Sequence, residues 1–256
     1  MFGHLGIKTR FIIFFIIYQV PSVMFVDHGH FQPNQVMLGL VILGITFIIR
    51  GNLVMAVIAM TMAVNFKITA VYYLLPFGIY ALAQVIKKSN SPNSGTMMLF
   101  MALRIALLLF VFIAVNLVIW WPWIFERDPT SGNLRINYAP ALQVIARIFP
   151  VKRGIFEGKV ANFWCVLHNT TRLKVNNWSS RENQFRMTMG MTILGCLPSC
   201  WLLYWTPTTK QFLYALFSNS MSFFLFGFQV HEKQIMQPDL IFGLMIKDTL
   251  PLLPTF

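Results

Sequence analysis

Three places in the chain hold residue types suited to acid–base or phosphate chemistry. The first, Asp27-His28-Gly29-His30-Phe31-Gln32, sets a carboxylate, two imidazoles and a carboxamide close together. It closes an apolar run, where an ionisable group facing lipid is costly, so it predicts the lining of a polar cavity. His-x-His beside a carboxylate also has ligand types suited to a metal, but no partner motif with metal spacing occurs elsewhere; an interfacial turn is the plain alternative. The second, His231-Glu232-Lys233, is expected to end an aromatic helix. Protonated His and Lys can hold a phosphate while Glu orients the imidazole or accepts a proton, and a snorkelling helix end would use the same residues. The third group is Arg147, Lys152, Arg153 and Lys159, with Glu157 among them. Cations beside interfacial aromatics suit an anionic lipid head group, and plain surface charge is the alternative.

The elements that must position these residues are set by composition. Of 256 residues, 57% are hydrophobic and 11% charged, whereas a soluble domain carries about 25% charged residues. There is too little polar surface to coat a water-soluble globule, so soluble enzymes and DNA-binding domains are excluded. The excess of 20 Lys+Arg over 8 Asp+Glu is scattered between apolar runs and forms no nucleic-acid stripe. Cys165, Cys196 and Cys200 sit in apolar settings and read as packing residues, not as a disulfide scaffold or zinc site.

A membrane helix needs about 20 apolar residues. Against that ruler the sequence predicts a single polytopic membrane domain over residues 1–256, with about eight spans or partial spans. The runs are Phe11 to Val26, Val36 to Ile49, Leu53 to Asn65, Ala70 to Ile86, Met97 to Trp121, Met187 to Trp205, Phe212 to Phe228, and a last run from Leu240. The second and third are short and predict a hairpin turning at Arg50-Gly51-Asn52. Arg50 and Lys87-Lys88 mark one side as cytoplasmic by the positive-inside tendency. The stretch from 126 to 186 contains nothing long enough to cross; Ala141 to Phe149 reads as an interfacial amphipathic helix stopped by Pro150. All three clusters then share the non-cytoplasmic face, with the loop 126–186.

At these places the sequence resembles a known family. Asp-His-Gly-His-Phe-Gln-Pro-Asn at Asp27 to Asn34, Asn-Phe-Lys at Asn65 to Lys67, Arg-Ile-Phe-Pro at Arg147 to Pro150, the run from Arg153 to Cys165, and Phe-Gln-Val-His-Glu-Lys at Phe228 to Lys233 are similar to the endoplasmic-reticulum dolichyl-phosphate-glucose α-1,3-glucosyltransferases of asparagine-linked glycosylation. The motifs occur in family order along nearly the whole chain. Phe-Glu-Gly-Lys-Val-Ala-Asn-Phe-Trp-Cys is similar to the members that add the first glucose to the nine-mannose oligosaccharide; a second-glucose enzyme is the alternative within the family. Pro33 stands where the family usually has an aromatic residue, and Gly158 where it has Asp.

The resemblance implies an all-α multi-pass membrane protein, the C-terminal portion of a GT-C glycosyltransferase fold, in the endoplasmic reticulum membrane. It implies a dolichyl-phosphate-glucose donor, a dolichyl-diphosphate oligosaccharide acceptor, contact with membrane lipid, no nucleic acid, no cofactor and no metal. His28, His30, Arg153, His231 and Lys233 are then expected to line the donor phosphate pocket, supported by Gln32, Glu157 and Lys159. The family's catalytic Asp lies in an N-terminal loop upstream of the region matched here, so no general base is carried over; Asp27 and Glu232 are the fallback carboxylates. A reading from a different class is a multispan transporter or structural membrane subunit, in which the same acids and imidazoles would form a proton or substrate path.

Overall fold

The computed structural model describes residues 22–29, 33–89, 94–127, 132–148, 160–171 and 180–249, with isolated positions Ile7 and Phe11 before them. Side chains at 26–28, 94, 148 and 246–249 lie outside that description, as do residues 30–32 and 151–159 entirely. A π-helical turn, Val23–His28, leads to helices α1 (Asn34–Ile49) and α2 (Leu53–Phe66). A 3-10 turn, Ile68–Tyr73, runs directly into α3 (Leu74–Lys88), and α4 covers Ser94–Ile124. Strands β1 (Phe125–Arg127) and β2 (Leu134–Ile136) form an antiparallel hairpin with Glu126 opposite Arg135. Then come α5 (Ala139–Ile148), α6 (Phe163–Thr170), α7 (Arg181–Trp205) and α8 (Thr209–Phe226), and a 3-10 turn, Glu232–Ile235, opens α9 (Met236–Thr249).

Helix starts follow from short polar side chains that accept an otherwise orphaned backbone N–H. Asn52 accepts from Met55 N at 3.2 Å, Asn162 from Cys165 N at 3.1 Å and Thr208 from Gln211 N at 3.1 Å. The α1–α2 hairpin turns at Arg50-Gly51-Asn52, where Gly51 takes φ +76°, a left-handed conformation in which a Cβ is strained.

Three helical segments are long and apolar enough to cross a membrane: Ile68–Lys88, Gly95–Ile124 and Arg181–Trp205. α1 and α2 are apolar but shorter. This is a helical membrane protein. Helix α4 has no buried residue in its most apolar stretch, so by composition its sides suit hydrocarbon. The core lies between α1, α2, α3, α8 and α9, where Met37, Ile45, Tyr73, Phe212, Leu216 and Ile241 are fully buried. Phe212 stacks on Tyr80 with centroids 4.4 Å apart and meets Phe77 edge-on at 5.7 Å. Helices α7 and α8 are joined by buried Asn219, which donates to Ser199 Oγ at 3.2 Å and to the Ala215 carbonyl at 2.9 Å, a polar contact of the kind that ties helices together in lipid.

The run expected from Phe11 to Val26 lies largely outside the described residues. One expectation is corrected. His231-Glu232-Lys233 does not end the aromatic helix: α8 stops at Phe226, and the cluster opens the 3-10 turn that begins α9. The stretch from 126 to 186 also contains a strand pair, too short for a period-2 pattern to register.

Candidate functional site

Ring contacts fix which helix ends lie together. Tyr72, just before α3, stacks on Phe223 near the end of α8 at 4.4 Å, while Tyr80 lies beside Thr209 at the start of α8. These two helices are therefore antiparallel, and the His231 turn emerges where α3 begins. Phe185 at the start of α7 meets Phe228 at 5.5 Å. One end of the bundle thus gathers the starts of α3, α7 and α9 with the end of α8. The opposite end holds Arg50, Lys88 and Trp205.

The separate sequence motifs meet at the first end. Lys67 Nζ donates to Asn34 Oδ1, joining the end of α2 to the start of α1. Asn65 Nδ2 donates to Asn116 Oδ1 at 3.0 Å and to the Thr61 carbonyl at 2.9 Å, and its Oδ1 accepts from Trp120 Nε1 at 2.6 Å. These bonds satisfy a carboxamide set among apolar helices, where an unmade bond is costly. Trp164 is 1% exposed, and its Nε1 donates to the Phe226 carbonyl at 3.1 Å. Val160 shares a small cluster with Phe224 and Val230. The Val-Ala-Asn-Phe-Trp-Cys segment is thereby seated on the strand-like link that carries His231.

That link is itself braced. His231 N donates to Gln234 Oε1 at 3.2 Å, and Gln234 N donates to the His231 carbonyl at 2.9 Å. His231 and Glu232 are exposed and Lys233 is half-buried, so a fixed backbone presents open side chains. Behind them, Gln237 Nε2 donates to Thr69 Oγ1 at 3.0 Å and the Gln237 backbone carbonyl accepts from Tyr73 Oη at 2.8 Å, locking the first 3-10 turn to α9.

His231, Glu232 and Lys233 share one turn, and the backbone of Asp27 and His28 lies in the π-helical turn. His30, Gln32, Arg153, Glu157 and Lys159 lie outside the described residues. Arg147 is exposed near the end of α5. The sequence reading leaves Lys67 out of the phosphate set. Its signal is a cation in the short polar break between two apolar runs, and only the fold shows that this break joins the same end.

A glycosyltransferase family model matches residues 4–255 under the description ALG6, ALG8 glycosyltransferase family. The chain belongs to this family. Its helical membrane architecture is that of the C-terminal portion of a GT-C glycosyltransferase. Relatives of this family member include a Pongo abelii protein named dolichyl pyrophosphate Man9GlcNAc2 alpha-1,3-glucosyltransferase, 34% identical over 92% of this chain and 42% of the relative. A Mus musculus protein of the same name is 36% identical over 84% of this chain and 39% of its own length. The Arabidopsis thaliana relative, named a probable enzyme of that kind, is 31% identical over 85% of this chain and 37% of the relative. The chain spans about two fifths of the length of these relatives.

Proposed function

We propose that the chain takes part in adding the first glucose to the dolichol-linked nine-mannose oligosaccharide, as a multi-pass protein of the endoplasmic reticulum membrane with its site on the lumenal face. The observation that carries this reading is the convergence, at one end of the bundle, of segments far apart in sequence. Asn34 meets Lys67, and Trp164 meets the Phe226 carbonyl just before His231. The activity for which the relatives are named supplies the chemistry.

In that reaction the 3-hydroxyl of a mannose attacks C1 of the glucose carried by dolichyl phosphate. A C1–O bond to the acceptor forms as the C1–O bond to phosphate breaks, with inversion, and dolichyl phosphate leaves with the electron pair. A carboxylate takes the hydroxyl proton, and cations hold the charge that grows on the phosphate. His231 and Lys233 on the braced turn, with His28, His30 and Arg153, are the proposed phosphate partners; Gln32, Glu157 and Lys159 support them. Imidazolium and ammonium donors to a phosphate make charge-assisted bonds about twice as strong as neutral ones. Asp27 and Glu232 are the fallback carboxylates for the general base, and removing a positioned base costs about 10²–10⁴-fold.

The chain is expected to bind dolichyl phosphate through these phosphate partners. The assay is transfer from radiolabelled dolichyl-phosphate-glucose to the nine-mannose acceptor in membranes lacking the native enzyme, paired with dolichyl phosphate binding to purified protein. Binding weakened by His231→Ala and Lys233→Ala supports the phosphate assignment, and absence of binding overturns it. Robust turnover would make Asp27 or Glu232 the base, which Asp27→Asn and Glu232→Gln would distinguish.

A further inference from the structure

At the end of the bundle opposite His231, a cavity of about 410 Å³ opens between the α1–α2 turn, the end of α3 and the first half of α4. Its polar rim carries Arg50, Lys88 and Arg104, and its apolar wall carries Leu53, Val54, Leu107 and Leu108. Two of the cations are held in place. Lys88 Nζ donates to the Gly51 carbonyl across the turn, and Arg104 Nη1 donates to the buried Ser89 hydroxyl at 3.2 Å. Among the described residues lining the cavity none is a carboxylate, and the sequence has no Asp or Glu between Asp27 and Glu126. The first turn of α2 forms part of the wall, so the positive end of that helix adds to the same field.

We infer that this cavity is a binding site for an anionic glycerophospholipid, with the head-group phosphate among Arg50, Lys88 and Arg104 and an acyl chain along Leu53, Val54, Leu107 and Leu108. The positive-inside tendency accounts for cations at this end of the helices, but it does not require three from separate elements to rim one apolar cavity. Charge and shape together select the occupant. A soluble phosphate would use the rim and leave the apolar wall open to water, whereas a phospholipid satisfies both. Part of the wall is α4 itself, whose apolar stretch has no buried residue, so an acyl chain can enter sideways from the bilayer. The leaflet reached from this end is the cytoplasmic one under the orientation given by Arg50, Lys87 and Lys88, and that leaflet is the one rich in anionic lipid.

The test is lipid retention by the purified full chain, taken from nanodiscs of phosphatidylcholine mixed with phosphatidylserine and read by native mass spectrometry. Phosphatidylserine should be retained over phosphatidylcholine, and Arg50→Gln, Lys88→Gln and Arg104→Gln should each lower that preference by about fivefold, the equivalent of one cation near a membrane surface. Lys88→Arg should keep it. Lys210→Gln removes an exposed cation at the same end but outside the cavity and should leave the preference unchanged. Equal retention of the two lipids, or a loss with Lys210→Gln as large as with Lys88→Gln, overturns the site in favour of diffuse surface charge. Displacement of the lipid by inorganic phosphate overturns the assignment to a phospholipid.

Discussion

Trp164 shows how much one side chain can decide here. Its ring is buried against Leu167, Met187, Met191 and Phe228, and its Nε1 supplies the hydrogen bond to the Phe226 carbonyl. That carbonyl is left over where α8 ends, since a helix C-terminus has no partners of its own. Trp164→Phe keeps most of the packing and removes the donor, so the expected cost is about 1–3 kcal/mol, the penalty of an unsatisfied buried carbonyl. Thermal unfolding in detergent measures it. The same variant should weaken dolichyl phosphate binding more than a distant variant of equal stability loss, because Phe226 lies five residues before His231. Trp164→Ala removes the ring as well and is expected to cost about 3–5 kcal/mol. By contrast, the ion pairs Arg135–Glu126 at 3.4 Å and Arg186–Glu182 at 2.5 Å are exposed on both sides, and such pairs contribute about 0–1 kcal/mol.

At the scale of elements, the contact between α7 and α8 rests on a small residue as much as on polar bonds. A Cβ built at Gly195 would come within 2.7 Å of Ser222 Oγ and 3.4 Å of Phe226. Small residues let helices approach closely where lipid gives no hydrophobic drive for association. Gly195→Leu should push α8 outward and cost about 1–3 kcal/mol, the usual penalty of overpacking. Its mark is loss of protection from amide exchange at the end of α8, together with a lower unfolding temperature. An unchanged exchange pattern would mean that the two helices are held by Asn219 and its partners instead. The short helices α1 and α2 solve a different problem. Neither is long enough to cross alone, and they are stabilised by packing on each other and on the core through Met37, Val41, Ile45 and Met60.

For the whole molecule the testable quantity is sidedness. The starts of α3, α7 and α9 and the His231 turn lie at one end, with Arg50, Lys88 and Trp205 at the other. A glycosylation-site scan should therefore modify a tag inserted near Asn133, beside the β1–β2 turn, and leave one beside Lys87-Lys88 unmodified. The reverse pattern would invert the proposed orientation and remove the lumenal assignment of His231. The natural sequons Asn169-Thr170-Thr171 and Asn177-Trp178-Ser179 fall in the same loop. Asn169 is exposed near the end of α6, its Nδ2 donating to Cys165 Sγ at 3.3 Å. At most one of the two is expected to carry a glycan, because both lie close to the membrane. Mass spectrometry of the protein from microsomes reads this out, and labelling of either site by a cytosolic reagent would contradict the orientation.

The sequence by itself determined the class of environment and the family. A chain with 57% hydrophobic and 11% charged residues has too little polar surface for water, and ordered motifs spread over its length are specific whatever the fold. It also placed the α1–α2 hairpin at Arg50-Gly51-Asn52, since apolar length and a polar break are local properties. It misread the His231 cluster as a helix end, because aromatic content continues past Phe226 while the helix does not; the carbonyl left over there is taken by Trp164, a partner 62 positions away. It left Lys67 aside for the same reason, since Asn34 reaches it across 33 positions. The cavity at the opposite end was legible only as scattered cations. Tertiary structure alone brought Arg50, Lys88 and Arg104 to one rim, because convergence between helices depends on which ends pack together, and hydrophobic periodicity does not encode that.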